Sequence, residues 1–389
     1  MLKISQVRDV LNHIIRNNRY LESRGVKKNT IMLESVAGIG KTSLIEQVAR
    51  DNGLGFVKIN LSNVEQAGDI CGFPIREFEF LEDGEAKWVN EKELEVRGNS
   101  LTLTGKTRTS YCPPAWVPTS NQGIILLLDD FTRAPTHIMQ AVMEIVDRGE
   151  YLSWKLPADC HVMLTSNPDS GEYIVTSLDD AQKTRYIRLK MKFDVNEWAE
   201  WAEFAGVDSR CINFLLLNPE MIKGSVNARL ATDYFNSISS LKDFGSEETL
   251  QLISLLGGGS VGDEFSATFA LFINNKLDKI PSPQKIFEFK DSADAIKAIQ
   301  ASVGDVNTSG YKQNIASVIS TRIINFLAKI IEDKEGGFNK KFHVPRVMDI
   351  IKSRVLSNDI NYNLIKTLNA RRQFSQLTED SEIVKIITR

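Results

Sequence analysis

Residues 30–53 read TIMLESVAGIGKTSLIEQVARDNG: a short apolar run, a turn with two glycines, then apolar residues at helical spacing up to Gly53. A buried strand, a tight turn and a helix make the opening of a βα unit, and such units build a parallel sheet. The turn is also close to a phosphate loop. The pattern G-x-x-x-x-G-K-[ST] is met at Gly40, Lys41 and Thr42, while Ser35 stands where the first glycine belongs. If that position requires a positive φ, serine costs up to about 1–2 kcal/mol.

Such a loop works through inward-pointing backbone N–H groups, a lysine that reaches the β- and γ-phosphates, and a hydroxyl on magnesium. The candidate binding residues are therefore Ser35, Ala37, Gly38, Ile39, Gly40, Lys41, Thr42 and Ser43, with Thr42 on the metal and Lys41 facing solvent until a ligand arrives. The plain alternative is a strand–turn–helix carrying a surface lysine.

The flanking segments keep the α/β rhythm. SQVRDVLNHIIRNN (5–18) has a helical apolar face, with Ser5 able to cap it. GFVKINL, GIILLLDD, CHVMLTSNP and YIRLKM read as further strands, and APTHIMQAVMEIVDRGE and SLDDAQKTRY as helices. Residues 76–112 break the rhythm. They predict one hairpin around Asp83-Gly84 and a second around Gly105, carrying Lys87, Lys92, Arg97, Lys106 and Arg108 beside Phe78, Phe80, Trp88 and Tyr111. This insert could grip a substrate, or simply pack its aromatics on the sheet. From about residue 194 the pattern is helical to the end.

Two strand ends carry candidate chemistry. ILLLDDF closes an apolar strand with Asp129, which can hold magnesium through its water shell, and Asp130, which can act as a base toward water. LTSNPD ends the next strand with Asn167, able to orient that water; its plain reading is an Asn-Pro turn.

LESVAGIGKTSLIEQVA, GDICGFP, PPAWVP, GIILLLDDFTRAPTHIMQAVMEIVDRGEY, VMLTSNPDSGEY and LDDAQKTRYIRL occur in this order over roughly residues 30–240. Together they resemble the AAA+ ATPases, and within them the MoxR-type group. The resemblance implies a three-layer P-loop parallel sheet with a hairpin insertion, then an all-α lid and a C-terminal helical region. In residues, that is a nucleotide-binding domain at 1–193 with its insertion at about 76–112, a lid at 194–290, and an extension at 291–389. It implies a Walker A loop at Ser35–Thr42, Walker B at Asp129 and Asp130, sensor 1 at Asn167, an arginine finger at Arg185 and a sensor 2 arginine at Arg229. Arg133 also fits the family pattern, without an assigned role. The cofactors implied are ATP and Mg2+. The assembly implied is a homo-oligomer, a hexameric ring that remodels client proteins beside a partner with a von Willebrand factor A domain. Most relatives carry Asp-Glu in Walker B; Asp130 is one methylene shorter, which opens a second reading, a nucleotide-dependent scaffold with little or no hydrolysis.

Composition narrows the remaining classes. A net charge of −3 and a pI of about 6.0 provide no global basic field, which argues against a nucleic-acid motor or loader. Cys71, Cys112, Cys160 and Cys211 are far apart, as expected of reduced thiols rather than a zinc or redox cluster. None of the four histidines reads as a metal ligand. Without a signal-like start or an apolar run near 20 residues, no membrane association is expected, and a cytoplasmic location follows.

Overall fold

The computed structural model describes residues 1–97, 100–118, 122–168, 176, 178–333 and 337–387. The tail of the SNPDSGEY stretch, from Asp169, lies outside them. The chain divides into two compact units, Met1–Lys192 and Phe193–Arg389.

In the first unit, α1 (Ile4–Ser23), β1 (Ile31–Glu34), α2 (Lys41–Asp51), β2 (Gly55–Asn60) and the single turn α3 (Gly68–Cys71) come before the insert. The insert holds β3 (Phe73–Glu82), β4 (Glu85–Asn90), α4 (Glu91–Arg97) and β5 (Thr102–Cys112). The chain returns with β6 (Ile124–Asp129), α5 (Thr136–Arg148), a small ribbon of β7 (Glu150–Tyr151) and β8 (Trp154–Lys155), β9 (Cys160–Ser166), α6 (Asp180–Lys183) and β10 (Ile187–Lys190).

Five strands form the parallel sheet in the order β10-β1-β9-β6-β2. β1, β6 and β9 are buried along their whole length, so both faces must be apolar, which explains runs such as IILLL. Leu126 and Leu128 turn toward α5 and pack with Ile138, Met139, Val142 and Ile145. Ile125 and Leu127 alternate to the other face, where α2 packs on β2 and β6 and α1 packs on α2. This is the three-layer α/β fold expected from the sequence. α1 begins before Ser5, so Ser5 is not its cap: Lys3 is, and its N–H donates to the Gln6 side chain (3.0 Å).

The insert is one three-stranded antiparallel sheet, β4-β3-β5, and not two hairpins. Asp83-Gly84 forms the expected turn, but Gly105 lies inside β5. Its φ of 84° goes with the register shift opposite Phe78 and Phe80, so this glycine makes a bulge rather than a chain reversal. α4, which the sequence reading lacked, packs on β3 and β4, and Phe80 and Val89 are buried. Three of the insert's six cations are tied to acids: Lys87 to Glu82 (2.8 Å), Lys106 to Glu79 (3.2 Å) and Arg108 to Glu77 (2.6 Å). Arg108 also lies 4.3 Å over the Trp88 ring. These pairs oppose the picture of a free basic face.

Among the described residues of the second unit the α-helices are α7 (Val195–Ala205), α8 (Ser209–Leu217), α9 (Ala228–Ile238), α10 (Glu247–Ser260), α11 (Asp263–Asn274), α12 (Pro283–Glu288), α13 (Ser292–Val303), α14 (Gln313–Glu332), α15 (Lys340–Lys352), α16 (Asn358–Asn369) and α17 (Ser381–Ile387), and there is no strand. One apolar cluster gathers around Phe214, Tyr234, Phe265 and Phe269, and another around Ile299, Ile323, Val347 and Leu364. α14 is the one described helix long and apolar enough to cross a bilayer, more than the sequence reading allowed. Its apolar side is instead a wall of the second cluster. Within it, Arg322 is almost wholly buried. Its Nε donates to Glu203 of α7 (2.6 Å), and its Nη1 donates to Ser209 Oγ (2.6 Å) and to Asn213 Oδ1 (2.9 Å).

A charge pair this deep becomes costly when half of it is removed. Arg322→Met should lower stability by about 3–5 kcal/mol in denaturant unfolding, by stranding the Glu203 carboxylate. Adding Glu203→Leu to it should recover most of the loss. A double variant as unstable as the single would show that the stranded charge is not the cause.

Candidate nucleotide-binding site

β1 ends at Glu34 and α2 starts at Lys41, so the loop between them closes over the carboxyl end of the sheet. Ligands of open α/β sheets bind at this edge. Gly38 (φ 75°) and Gly40 (φ 93°) take the left-handed conformations that turn the chain into the helix. A Cβ on Gly40 would meet nothing within 4 Å, so backbone conformation rather than space calls for glycine there. Ser35 is not among the residues with positive φ, so a serine there bears no left-handed strain. Its N–H donates to Ser166 O on β9 (3.3 Å), anchoring the loop to the sheet.

Lys41 does not face solvent. It is 8% exposed, and its Nζ donates to Ser35 O (2.8 Å), Val36 O (3.3 Å) and Asn167 Oδ1 (3.1 Å). An ammonium leaves water only when its N–H groups find acceptors, and the loop's own carbonyls together with Asn167 supply them. Ile39 is buried beneath the loop, Ala37 is half-buried, and Ser43 is exposed on the first turn of α2.

Asp129 ends β6 beside this turn. Its carboxylate accepts from Thr42 Oγ1 (3.2 Å) and from the buried Thr165 hydroxyl, and pairs with Lys58 Nζ (2.8 Å). Burial pushes its pKa up, but Lys58 and the two hydroxyls outweigh that and hold it below the usual carboxylate range. Asp130 follows with φ 55°, a left-handed conformation that aspartate tolerates better than most residues. Its N–H donates to Thr165 Oγ1 (2.9 Å), and its carboxylate lies 3.6 Å from Arg133 Nη1. Thr165 thus links the two acids.

The structure therefore gathers Lys41, Thr42, Asp129, Asp130 and Asn167 at one edge of the sheet. A hydroxyl facing a carboxylate is a hard-oxygen pair of the kind that suits Mg2+, and the amino end of α2 suits an anion. Arg185 is not brought to this edge. It precedes β10, at the amino end of the sheet, and its charge helps lower the pKa of Asp147, where Lys27 is the larger influence. Arg229 is an exposed residue in the first turn of α9, in the second unit. Sequence reasoning missed Thr165 and Lys58. The signals were a hydroxyl just before SNP and a lone lysine in the strand FVKIN, neighbouring the acidic strand.

No family model matches the chain, and no curated protein sequence does. Among solved structures it is similar to a provisionally assigned ATPase from Cytophaga hutchinsonii: 15% identity, 82% of this chain and 81% of that one covered, TM-score 0.32. It is also similar to the Thermotoga maritima RuvB Holliday junction branch migration motor (12% identity, 76% and 81% covered, TM-score 0.36). A mutant of the same RuvB gives 12% identity, 77% and 81% covered and a TM-score of 0.38.

Two substitutions test the loop. Lys41→Ala should abolish binding of a fluorescent ATP analogue, a loss of at least about 100-fold for a buried charged hydrogen-bonding group. Ser35→Gly should change affinity by less than about twofold, since no strain is relieved. A large gain with Ser35→Gly would show that serine does impair the loop.

Proposed function

We propose that this chain is an AAA+ ATPase of the MoxR type, which binds and hydrolyses Mg-ATP in a homo-oligomeric ring, a hexamer, to remodel or mature client proteins. The observation that carries the nucleotide part is the convergence of Lys41, Thr42, Asp129 and Asn167 at the carboxyl end of one parallel sheet. The MoxR type, ring, client and a von Willebrand factor A partner rest on the ordered sequence motifs. In this reading residues 1–193 are the nucleotide-binding domain, 194–290 a lid and 291–389 an extension, and the protein works in the cytoplasm.

The chemistry assigned to the side chains is as follows. Lys41 exchanges the Ser35 and Val36 carbonyls for phosphate oxygens, while the amino end of α2 faces the same charge. Thr42 and Asp129 would hold Mg2+, which when bound would neutralise charge on the phosphates. Asp130 takes a proton from the attacking water, which Asn167 orients. Arg185, placed at the far end of the sheet from its own loop, is assigned to a neighbouring subunit's γ-phosphate, and Arg229 to the lid's contact with nucleotide. Arg133 Nη1, 3.6 Å from Asp130 Oδ2, competes with the attacking water for that carboxylate. This contact, and the short Asp130 side chain, favour the second reading, a scaffold that binds nucleotide and assembles with little or no turnover.

Steady-state hydrolysis separates the two. On the ATPase reading Asp130→Asn keeps nucleotide affinity within about twofold and loses at least about 100-fold in turnover. Asp130→Asn hydrolysing at a measurable parent rate would show that Asp130 is not the base, and a parent that binds ATP without measurable turnover would establish the scaffold reading. Arg185→Ala should bind ATP and lose hydrolysis, and mixing it with Lys41→Ala, after subunit exchange is demonstrated, should restore part of the activity. Full activity of Arg185→Ala alone would remove the finger assignment.

A further inference from the structure

We propose that Lys58 is an internal counter-ion of Asp129 that Mg2+ must displace, and that it thereby sets the Mg2+ concentration at which the site binds nucleotide tightly. This rests on the nucleotide-binding reading of the same site.

Lys58 lies on the edge strand β2, paired in register with Leu127 of β6, two residues before Asp129. From there its side chain runs along the strand pair to place Nζ 2.8 Å from Asp129 Oδ2. Among the described residues, it is the one cation paired with that carboxylate; Thr42 and Thr165 contribute neutral hydroxyls, and Lys41 is engaged with Ser35, Val36 and Asn167. The two partners differ in their access to water. The Asp129 side chain is 11% exposed, so it needs a compensating positive charge, whereas the Lys58 side chain is 41% exposed and sits at the sheet edge. Its flexible four-carbon stem can withdraw the ammonium into solvent at little cost.

A divalent ion taken up by Thr42 and Asp129 and an ammonium at 2.8 Å from the same carboxylate repel each other strongly, since like charges at such distances interact steeply even at the dielectric of a protein surface. Metal entry and lysine departure are therefore one exchange. It makes nucleotide-free protein self-sufficient in charge, and it makes tight nucleotide binding depend on Mg2+ more than the ligands alone would require. Lys58 is a positioning residue here and touches no reacting atom.

The test uses the full chain and a fluorescent ADP analogue, titrated over a series of Mg2+ concentrations. With Lys58→Met, which keeps the stem and removes the charge, the Mg2+ midpoint for tight binding should fall about 3- to 10-fold, and Lys58→Arg should stay at the parent value. A second readout needs no nucleotide: the melting temperature of Lys58→Met should fall below the parent's and be raised by millimolar Mg2+ alone, while the parent's should not respond. If Lys58→Met does not fold, Lys58→Gln serves in both measurements. An unchanged Mg2+ midpoint overturns the proposal. So does lower nucleotide affinity at every Mg2+ concentration, which would make Lys58 a phosphate contact. Should the parent bind no nucleotide, the nucleotide-binding reading fails by itself; a Mg2+ response confined to the charge-removed variant would still uphold the exchange at Asp129, and its absence would reject it.

Discussion

A carboxylate buried at the end of an apolar strand has to be compensated, and the arrangement around Asp129 is organised by that requirement. β6 must be apolar on both faces because helices cover both, so Asp129 leaves the sheet with hardly any water of its own. Each neighbouring element supplies one partner: the first turn of α2 brings the Thr42 hydroxyl, β9 the Thr165 hydroxyl and β2 the Lys58 ammonium. The strand order that places β6 between β9 and β2 is what makes those three partners available at once. Lys41 shows the same logic with the sign reversed, a buried cation whose N–H groups are taken up by two carbonyls and an amide.

Much of this was legible in the chain. Continuous apolar runs such as IILLL and the strand–glycine–helix turn specify a parallel sheet, because only strands covered on both faces can carry them. The acids at 129–130 and the amide at 167 could be placed from strand ends alone. What sequence left open depends on which strands become neighbours. Lys58 is unremarkable within FVKIN until β2 is known to pair with β6, and Thr165 matters because β9 lies on the other side of that strand. The orientation of Lys41 depends on carbonyl directions in a six-residue turn, which no periodicity reports. Gly105 in sequence suits a hairpin turn and a bulge equally; the partner strand decides, and here β3 runs past it.

The paired charges of the insert bear on how the chain is pictured at work. Lys87, Lys106 and Arg108 each face an acid, two of them across the strand pair β3–β5, so the sheet is a surface of paired charges, with the Phe78 and Trp88 rings under the guanidinium groups of Arg76 and Arg108. Cross-strand pairs of this kind stabilise a small sheet that has little core of its own. The buried core of the insert, Phe80 and Val89 with α4 packing on their strands, is small enough for those pairs to matter.

The bulge at Gly105 also changes what the insert can join. A regular outer strand offers a row of free backbone donors and acceptors, and in a crowded assembly of identical chains such a row recruits another strand. β5 is an outer strand, but its ladder is broken near the middle and its exposed face carries Lys106 and Arg108. The interrupted ladder and the two cations thus make β5 a poor template for a strand from another chain.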